Sequence, residues 1–150
     1  MEQEFILKSF KIDGFEVESK YRMVETSDDG ETLDNSFHVH CGRPIHEDLQ
    51  KLFEDDLTQI VRDMFGDDAV KHITTTGIEI AGKGENIGLR IFGVIGTRHG
   101  DIRFRTPRIK YLVGQTDVCA KMTVFVDKMV NEAHAYLFEG KSADLSVFGE

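Results

Sequence analysis

Two long amphipathic segments, each preceded by three strand-like segments, place the strongest constraint on how this chain can fold. Apolar residues recur at helical spacing over residues 44–66 and again over residues 116–139, with charged residues between them. A helix with one apolar face is not stable alone in water, so both stripes require a sheet to cover them. We therefore predict an α+β fold in the order β-β-β-α-β-β-β-α, with a mostly antiparallel sheet packed by two amphipathic helices.

Local signals predict where the two helices begin and end. Pro44 suits the first turn of a helix because its missing N–H costs nothing there, and Gly66 is placed as the C-terminal stop. The apolar stripe of this helix is expected to include Phe65. Thr116 is the expected N-cap of the second helix, which Gly140 should end.

Alternation of apolar and charged residues predicts the strands. Residues 15–23 alternate strictly, starting with Phe15, which indicates a half-buried strand. The polar stretch 26–35 is predicted to be a loop, and a strand is predicted to follow over about residues 36–41. The last predicted strand, within residues 102–112, is interrupted by Pro107 and should lie at an edge or carry a bulge.

The two halves of the chain repeat the same order of elements with an offset of roughly seventy residues. An ancestral duplication of residues 1–66 and 70–140 is one interpretation. A six-stranded antiparallel sheet covered by two helices, without any duplication, is the other. Residues 1–140 should form a single α+β domain, and residues 141–150 a mobile C-terminal tail.

Composition excludes several classes of protein. The net charge of −9 means that the chain as a whole repels nucleic acid and anionic membranes. No apolar run is long enough to cross a membrane, and the acidic first residues do not resemble a signal peptide. Cys41 and Cys119 are too few for a secreted disulfide scaffold, so a cytoplasmic location is predicted.

The sequence offers little sign of catalysis or of a cofactor. No nucleophile elbow is present, and the paired carboxylates fall on predicted loops or polar helix faces, where solvated charge is usual. We predict a protein that is not an enzyme and takes no cofactor. The weak alternative is a metal site at His38 and His40, which share one strand face but lack further ligands. Solvated surface histidines are the competing interpretation.

A basic hairpin stands out against the acidic chain. Residues 83–110 carry a local charge of +5, so the rest of the chain totals −14. Such a hairpin can follow a phosphate backbone. The predicted nucleic-acid-binding residues are Arg98, Arg103, Arg105, Arg108 and Lys110. The alternative is that these side chains pair with acidic helix faces, within the domain or across a homo-oligomer. No aromatic residue is expected to be interleaved on the same face as Arg103 and Arg105, which argues against a platform for stacked bases.

The last residues include Leu145 and Phe148, apolar side chains that we expect to be exposed. Residues 144–148, Asp-Leu-Ser-Val-Phe, resemble the bacterial sliding-clamp-binding pentapeptide Gln-Leu-Ser/Asp-Leu-Phe. Leu145, Ser146 and Phe148 match this pattern, whereas Val147 is a conservative departure and an aspartate replaces the glutamine. The resemblance implies a protein partner bound through these four residues, such as the sliding clamp. Alternatively, Leu145 and Phe148 cover the sheet edge or a dimer mate.

The end of the chain is also similar to small phage and prophage proteins of unassigned function from replication and recombination clusters. The similarity rests on Tyr-Leu-Phe-Glu-Gly-Lys at residues 136–141 and on the tail that follows. It implies a setting in DNA metabolism and no catalytic residue. Together with the basic hairpin and the tail, it favours a non-enzymatic accessory protein of DNA replication or recombination, which we expect to bind a protein partner through the tail and nucleic acid, such as DNA, through the hairpin. The alternative function is an acidic DNA-mimic inhibitor of a host nuclease or defence protein.

Overall fold

The computed structural model describes residues 2–66, 72–112 and 116–142. Its strands are β1 Glu2–Asp13, β2 Glu16–Thr26, β3 Thr32–Cys41, β4 Ile73–Ala81, β5 Gly88–Thr97, β6 Gly100–Arg105 and β7 Ile109–Lys110. Its helices are α1 Glu47–Lys51, a π-helical segment Leu52–Leu57, α2 Thr58–Phe65 and α3 Asp117–Phe138. The segments from α1 to α2 run continuously and are called the first helix below. This layout confirms the predicted α+β class.

All described strands form one antiparallel sheet in the order β3-β2-β1-β4-β5-β6, with β7 also paired to β5. Each half of the chain forms a meander, and the two halves meet where β1 pairs with β4. The duplication of residues 1–66 and 70–140 stays a prediction. The helices pack on one face of the sheet, called the covered face, through residues such as Phe10 and Thr75. The opposite face is called the open face.

The alternation predicted for β2 sets its two faces. Val17, Ser19 and Tyr21 are buried on the covered face, and Ser19 donates a hydrogen bond to the Ser9 carbonyl at 2.8 Å. Phe15, however, is 83% exposed in the β1–β2 turn, so the prediction that it lies on the buried face of this strand is wrong. A turn residue beyond the end of a strand no longer follows the period-2 pattern.

The polar stretch 26–35 is a loop only in part. β3 begins at Thr32, and Asp34 pairs in register with Val24 while its carboxylate forms an ion pair with Arg22. The predicted loop over residues 32–35 is therefore wrong. An edge strand exposes most of its side chains, so its sequence need not alternate between apolar and polar residues.

Pro107 interrupts the last predicted strand, as expected. β6 and β7 lie on either side of it, and both pair with β5. Thr106 bridges the gap because its backbone N–H donates to the Ile91 carbonyl and its Oγ1 accepts from the Ile91 N–H, both at 2.9 Å. The sheet has seven strands, not six, because proline cannot donate to the ladder.

The first helix begins at Glu47, so the expectation that Pro44 opens it is wrong. His46 is the N-cap: its Nδ1 accepts a hydrogen bond from the Asp48 N–H at 3.1 Å. Ile45 instead forms a β-bridge with Ser142. Gly66 ends the helix with a φ of 89°, as predicted. Phe65 is 47% exposed and lies outside the buried stripe, because it belongs to the last helical residues.

One backbone carbonyl group of the π-helical segment accepts hydrogen bonds from two threonine side chains, a contact that no pattern in the sequence indicates. The Phe53 carbonyl accepts hydrogen bonds from Thr58 Oγ1 at 2.9 Å and from Thr75 Oγ1 at 2.6 Å. Both threonines are buried. The first helix is thus fixed to β4 by a hydrogen-bonded polar contact inside the core, where an unpaired hydroxyl would be costly.

The long helix α3 matches its prediction. Thr116 is its N-cap, accepting a hydrogen bond from the Cys119 N–H at 3.2 Å, and the chain turns at Gly140 after the C-cap Glu139. Its buried apolar residues are Cys119, Met122, Phe125, Val126, Met129, Ala133 and Tyr136. No helix in the described part of the chain is long and apolar enough to span a membrane.

Candidate nucleic-acid interface

The open face carries a dense group of cations at its β5–β6 end. Arg103 and Arg105 pair in register with Val94 and Phe92 of β5, which places all four side chains on one face. This face is opposite to the one on which Ile102 and Phe104 lie, as predicted from alternation within the strand. Arg103 and Arg105 are exposed. The structure therefore brings together two of the arginines that the sequence singled out.

Cations from neighbouring strands complete this group. Lys110 pairs in register with Gly88, and the Arg108 side chain lies over the same glycine: a Cβ atom there would be 2.5 Å from Arg108 Cγ. Arg90 lies two residues before Phe92 on β5 and so shares its face. The Lys11 side chain extends from β1 to Phe92. We call Lys11, Arg90, Arg103, Arg105, Arg108 and Lys110 the basic patch.

Phe92 lies at the centre of the basic patch. Lys11, Gly77, Phe92 and Arg105 form one cross-strand row over β1, β4, β5 and β6. Lys11 Nζ lies 4.6 Å from the centroid of the Phe92 ring, a cation–π distance. Its side chain crosses β4 over Gly77, where a Cβ atom would be only 2.8 Å from Lys11 Cγ. A glycine at this position lets the lysine reach the aromatic ring.

The prediction that no aromatic residue lies on the same face as Arg103 and Arg105 is wrong. Phe92 comes from the neighbouring strand and lies directly opposite Arg105. The face therefore does combine an aromatic ring with cations, which is the combination that binds bases and phosphates of single strands.

Most of these cations have no acidic partner. Among the described residues, none of the five predicted binding residues forms an ion pair. They are Arg98, Arg103, Arg105, Arg108 and Lys110. Arg90 is the paired member of the basic patch, with its Nη1 2.9 Å from Glu79 Oε1. The alternative that these arginines neutralise acidic helix faces within the domain is therefore wrong for the described part of the chain.

Arg98 lies apart from the rest. It occupies the exposed two-residue turn between β5 and β6, next to the pair Thr97 and Gly100. Phe92 is six residues away along β5, or roughly 20 Å at the rise of an extended strand. Arg98 can therefore extend the basic surface along the hairpin but does not border the aromatic ring.

The acidic residues of the helices lie on the other side of the molecule and are partly neutralised there. Lys121 pairs with Asp63 at 2.6 Å, and Lys141 pairs with both Asp48 and Glu132 at 2.9 Å. The hydrogen bond from Lys141 lowers the pKa of Asp48, as that from Lys121 lowers the pKa of Asp63. Lysines thus neutralise part of the acidic charge on the helix side of the domain.

The predicted tail lies mostly outside the described residues. Lys141 forms the ion pairs given above and Ser142 bridges to Ile45, so the first two positions of the predicted tail contact the domain. Leu145, Ser146, Val147 and Phe148 are among residues 143–150, which the structure does not describe. The sliding-clamp hypothesis stays a prediction.

No protein-family model matches the chain, and neither a curated protein nor a solved structure matches it.

Proposed function

We propose that the basic patch and Phe92 bind a single-stranded nucleic acid, with phosphates along the arginines and one base stacked on the ring in the place that the Lys11 ammonium now occupies. The observation that carries this proposal is the row in which Phe92 lies between Lys11 and Arg105 on an uncovered sheet face. Aromatic rings accept any base by stacking, and arginines contact the backbone. The cations of β6 have no competing carboxylate among the described residues.

The overall charge of −9 does not oppose this binding. Exposed charges separated by more than about 8 Å are largely screened at physiological ionic strength. The helices pack about 10 Å from the sheet, on its covered face. The carboxylates on the outer side of the helices therefore lie farther than this from the open face. A nucleic acid at the β5–β6 end of the open face therefore lies nearest to the basic patch, where the neighbouring Glu79 is already paired with Arg90.

The setting we propose is DNA replication or recombination, with the protein acting as a non-enzymatic accessory factor. The resemblance of residues 144–148 to the clamp-binding pentapeptide and the similarity to phage proteins support this setting. The DNA-mimic alternative is less well supported, because lysines pair with Asp48, Asp63 and Glu132 on the surface that would imitate phosphates.

The proposal is tested by the fluorescence anisotropy of a labelled oligothymidine. We expect Arg103→Ala/Arg105→Ala to reduce the slope of log affinity against log salt by about 1.4, because each phosphate contact contributes about 0.7. This corresponds to about a 70-fold loss of affinity at about 50 mM salt. Phe92→Leu should weaken binding about 5- to 150-fold without changing the slope, since stacking on a ring contributes about 1–3 kcal/mol.

The control is Lys121→Ala/Lys128→Ala, which removes the same charge from the helix side and should leave affinity within about twofold. Duplex DNA of the same length separates stacking from charge, because Phe92→Leu should not affect its binding. Absence of binding by the unmodified protein at low salt would contradict the proposal. So would equal losses in the helix-side control and in the Arg103/Arg105 variant.

A further inference from the structure

A second group of side chains lies on the open face at the opposite end of the sheet. His38 and His40 alternate on β3, and Glu18 of β2 pairs in register with His40. The ligand atoms of the three side chains all lie within 4.8 Å of one another. The two imidazole rings are 4.8 Å apart between centroids. The sequence showed both histidines, but Glu18 could not be added without the register of β2 and β3.

Glu18 is oriented toward the histidines although two lysines are its neighbours. Lys11 lies opposite Glu18 on β1, and Lys20 lies two residues along β2. Neither lysine forms an ion pair with Glu18 in the described structure, and Lys11 extends over Phe92 instead. The Glu18 carboxylate lies 3.4 Å from His38 Nε2. An acceptor and two imidazoles thus converge on one exposed point.

We propose that Glu18, His38 and His40 bind one divalent transition-metal ion, with Zn²⁺ as the best match. Two imidazole nitrogens and one carboxylate oxygen form a known three-ligand set for zinc, which leaves a fourth position for water or another ligand. Ligand atoms about 2.0–2.1 Å from a tetrahedral ion are about 3.3–3.4 Å apart. The 3.4 Å between His38 Nε2 and Glu18 Oε1 already satisfies this spacing.

Two other nearby residues do not belong to the site. Cys41 pairs in register with Val17 and therefore lies on the covered face. His46 uses Nδ1 to cap the first helix. His40 is exposed, and its ring needs only side-chain rotation to close the remaining distance. The site joins the edge strand β3 to β2, so a bound ion stabilises the edge of the sheet.

The test is calorimetric titration of ZnCl₂ into the metal-free 150-residue chain. We expect one ion per chain. Outer-shell substitutions cost about 10- to 100-fold in metal affinity, so loss of a ligand in His38→Ala, His40→Ala or Glu18→Ala should cost at least about 10-fold. His99→Ala, in the exposed β5–β6 turn, is the matched control and should bind as the unmodified protein does.

Thermal unfolding supplies a second readout. Zn²⁺ should raise the midpoint of the unmodified protein and of His99→Ala, but not that of His38→Ala/His40→Ala, because only a ligand bound to the folded state stabilises it. Circular dichroism of each variant checks that it is folded. No stoichiometric binding, or equal binding by the His38/His40 and His99 variants, would overturn the proposal.

Discussion

Tyr136→Ala is expected to lower the free energy of unfolding by about 3–5 kcal/mol, the usual cost of removing a fully buried aromatic side chain. Tyr136 is 1% exposed and packs edge-on against Phe10, with ring centroids 5.8 Å apart. Its hydroxyl donates to the Arg43 carbonyl at 2.6 Å, while Arg43 Nη2 donates to the Tyr136 carbonyl at 2.7 Å. The substitution therefore leaves a cavity and removes one of the two hydrogen bonds that join α3 to the segment after β3. Urea unfolding measures the loss.

Tyr136→Phe is the matched control because it retains the ring and removes the hydroxyl. It should cost about 1–3 kcal/mol, the penalty for leaving the Arg43 carbonyl without its donor. Burial also raises the pKa of Tyr136, so the hydroxyl stays a donor at neutral pH. A loss below about 1 kcal/mol for Tyr136→Ala would contradict the packing described for α3.

Gly82→Ala is expected to be nearly as damaging, at about 2–5 kcal/mol. Gly82 has a φ of +102°, which side-chain-bearing residues rarely adopt, and a Cβ atom there would lie 2.3 Å from the Asn86 carbonyl oxygen. The opposing atoms belong to the backbone of the β4–β5 turn, so no side-chain rotation relieves the contact. Urea unfolding again gives the magnitude.

Substitutions at two other glycines distinguish the cost of a positive φ from the cost of a steric clash. Gly84 has a φ of +57° but open space around it, so Gly84→Ala should cost about 1–2 kcal/mol. Gly42 has open space and no positive φ, so Gly42→Ala should change stability by less than about 0.5 kcal/mol. Equal losses at Gly82 and Gly42 would show that the turn is not built as described.

Much of the fold follows from periodicity in the sequence. The stripe of α3, its Thr116 cap and the Gly66 stop depend on contacts within a few residues, which a linear pattern records. The start of β3 at Thr32 does not follow from periodicity, because an edge strand is defined by backbone pairing with β2 and not by burial. The π-helical segment depends on Thr75, which is distant in sequence.

The candidate site was partly predictable for the same reason. Alternation within β6 places Arg103 and Arg105 on one face. The two-residue turn at Arg98 and His99 fixes the hairpin register, so counting back from it would have placed Phe92 opposite Arg105. Lys11 could not be placed, because its position beside Phe92 depends on the pairing of β1 with β4. That pairing joins the two halves of the chain and leaves no local signal.

The most direct test of the nucleic-acid interface is a titration of the ¹⁵N-labelled protein with oligothymidine, followed by amide chemical shifts. The open-face account predicts the largest shifts along β5 and β6, around Phe92 and Arg105, and at Lys11 across the sheet. Amides of the first helix and of α3 should change little. Shifts confined to the helices, or none at low salt, would contradict the account.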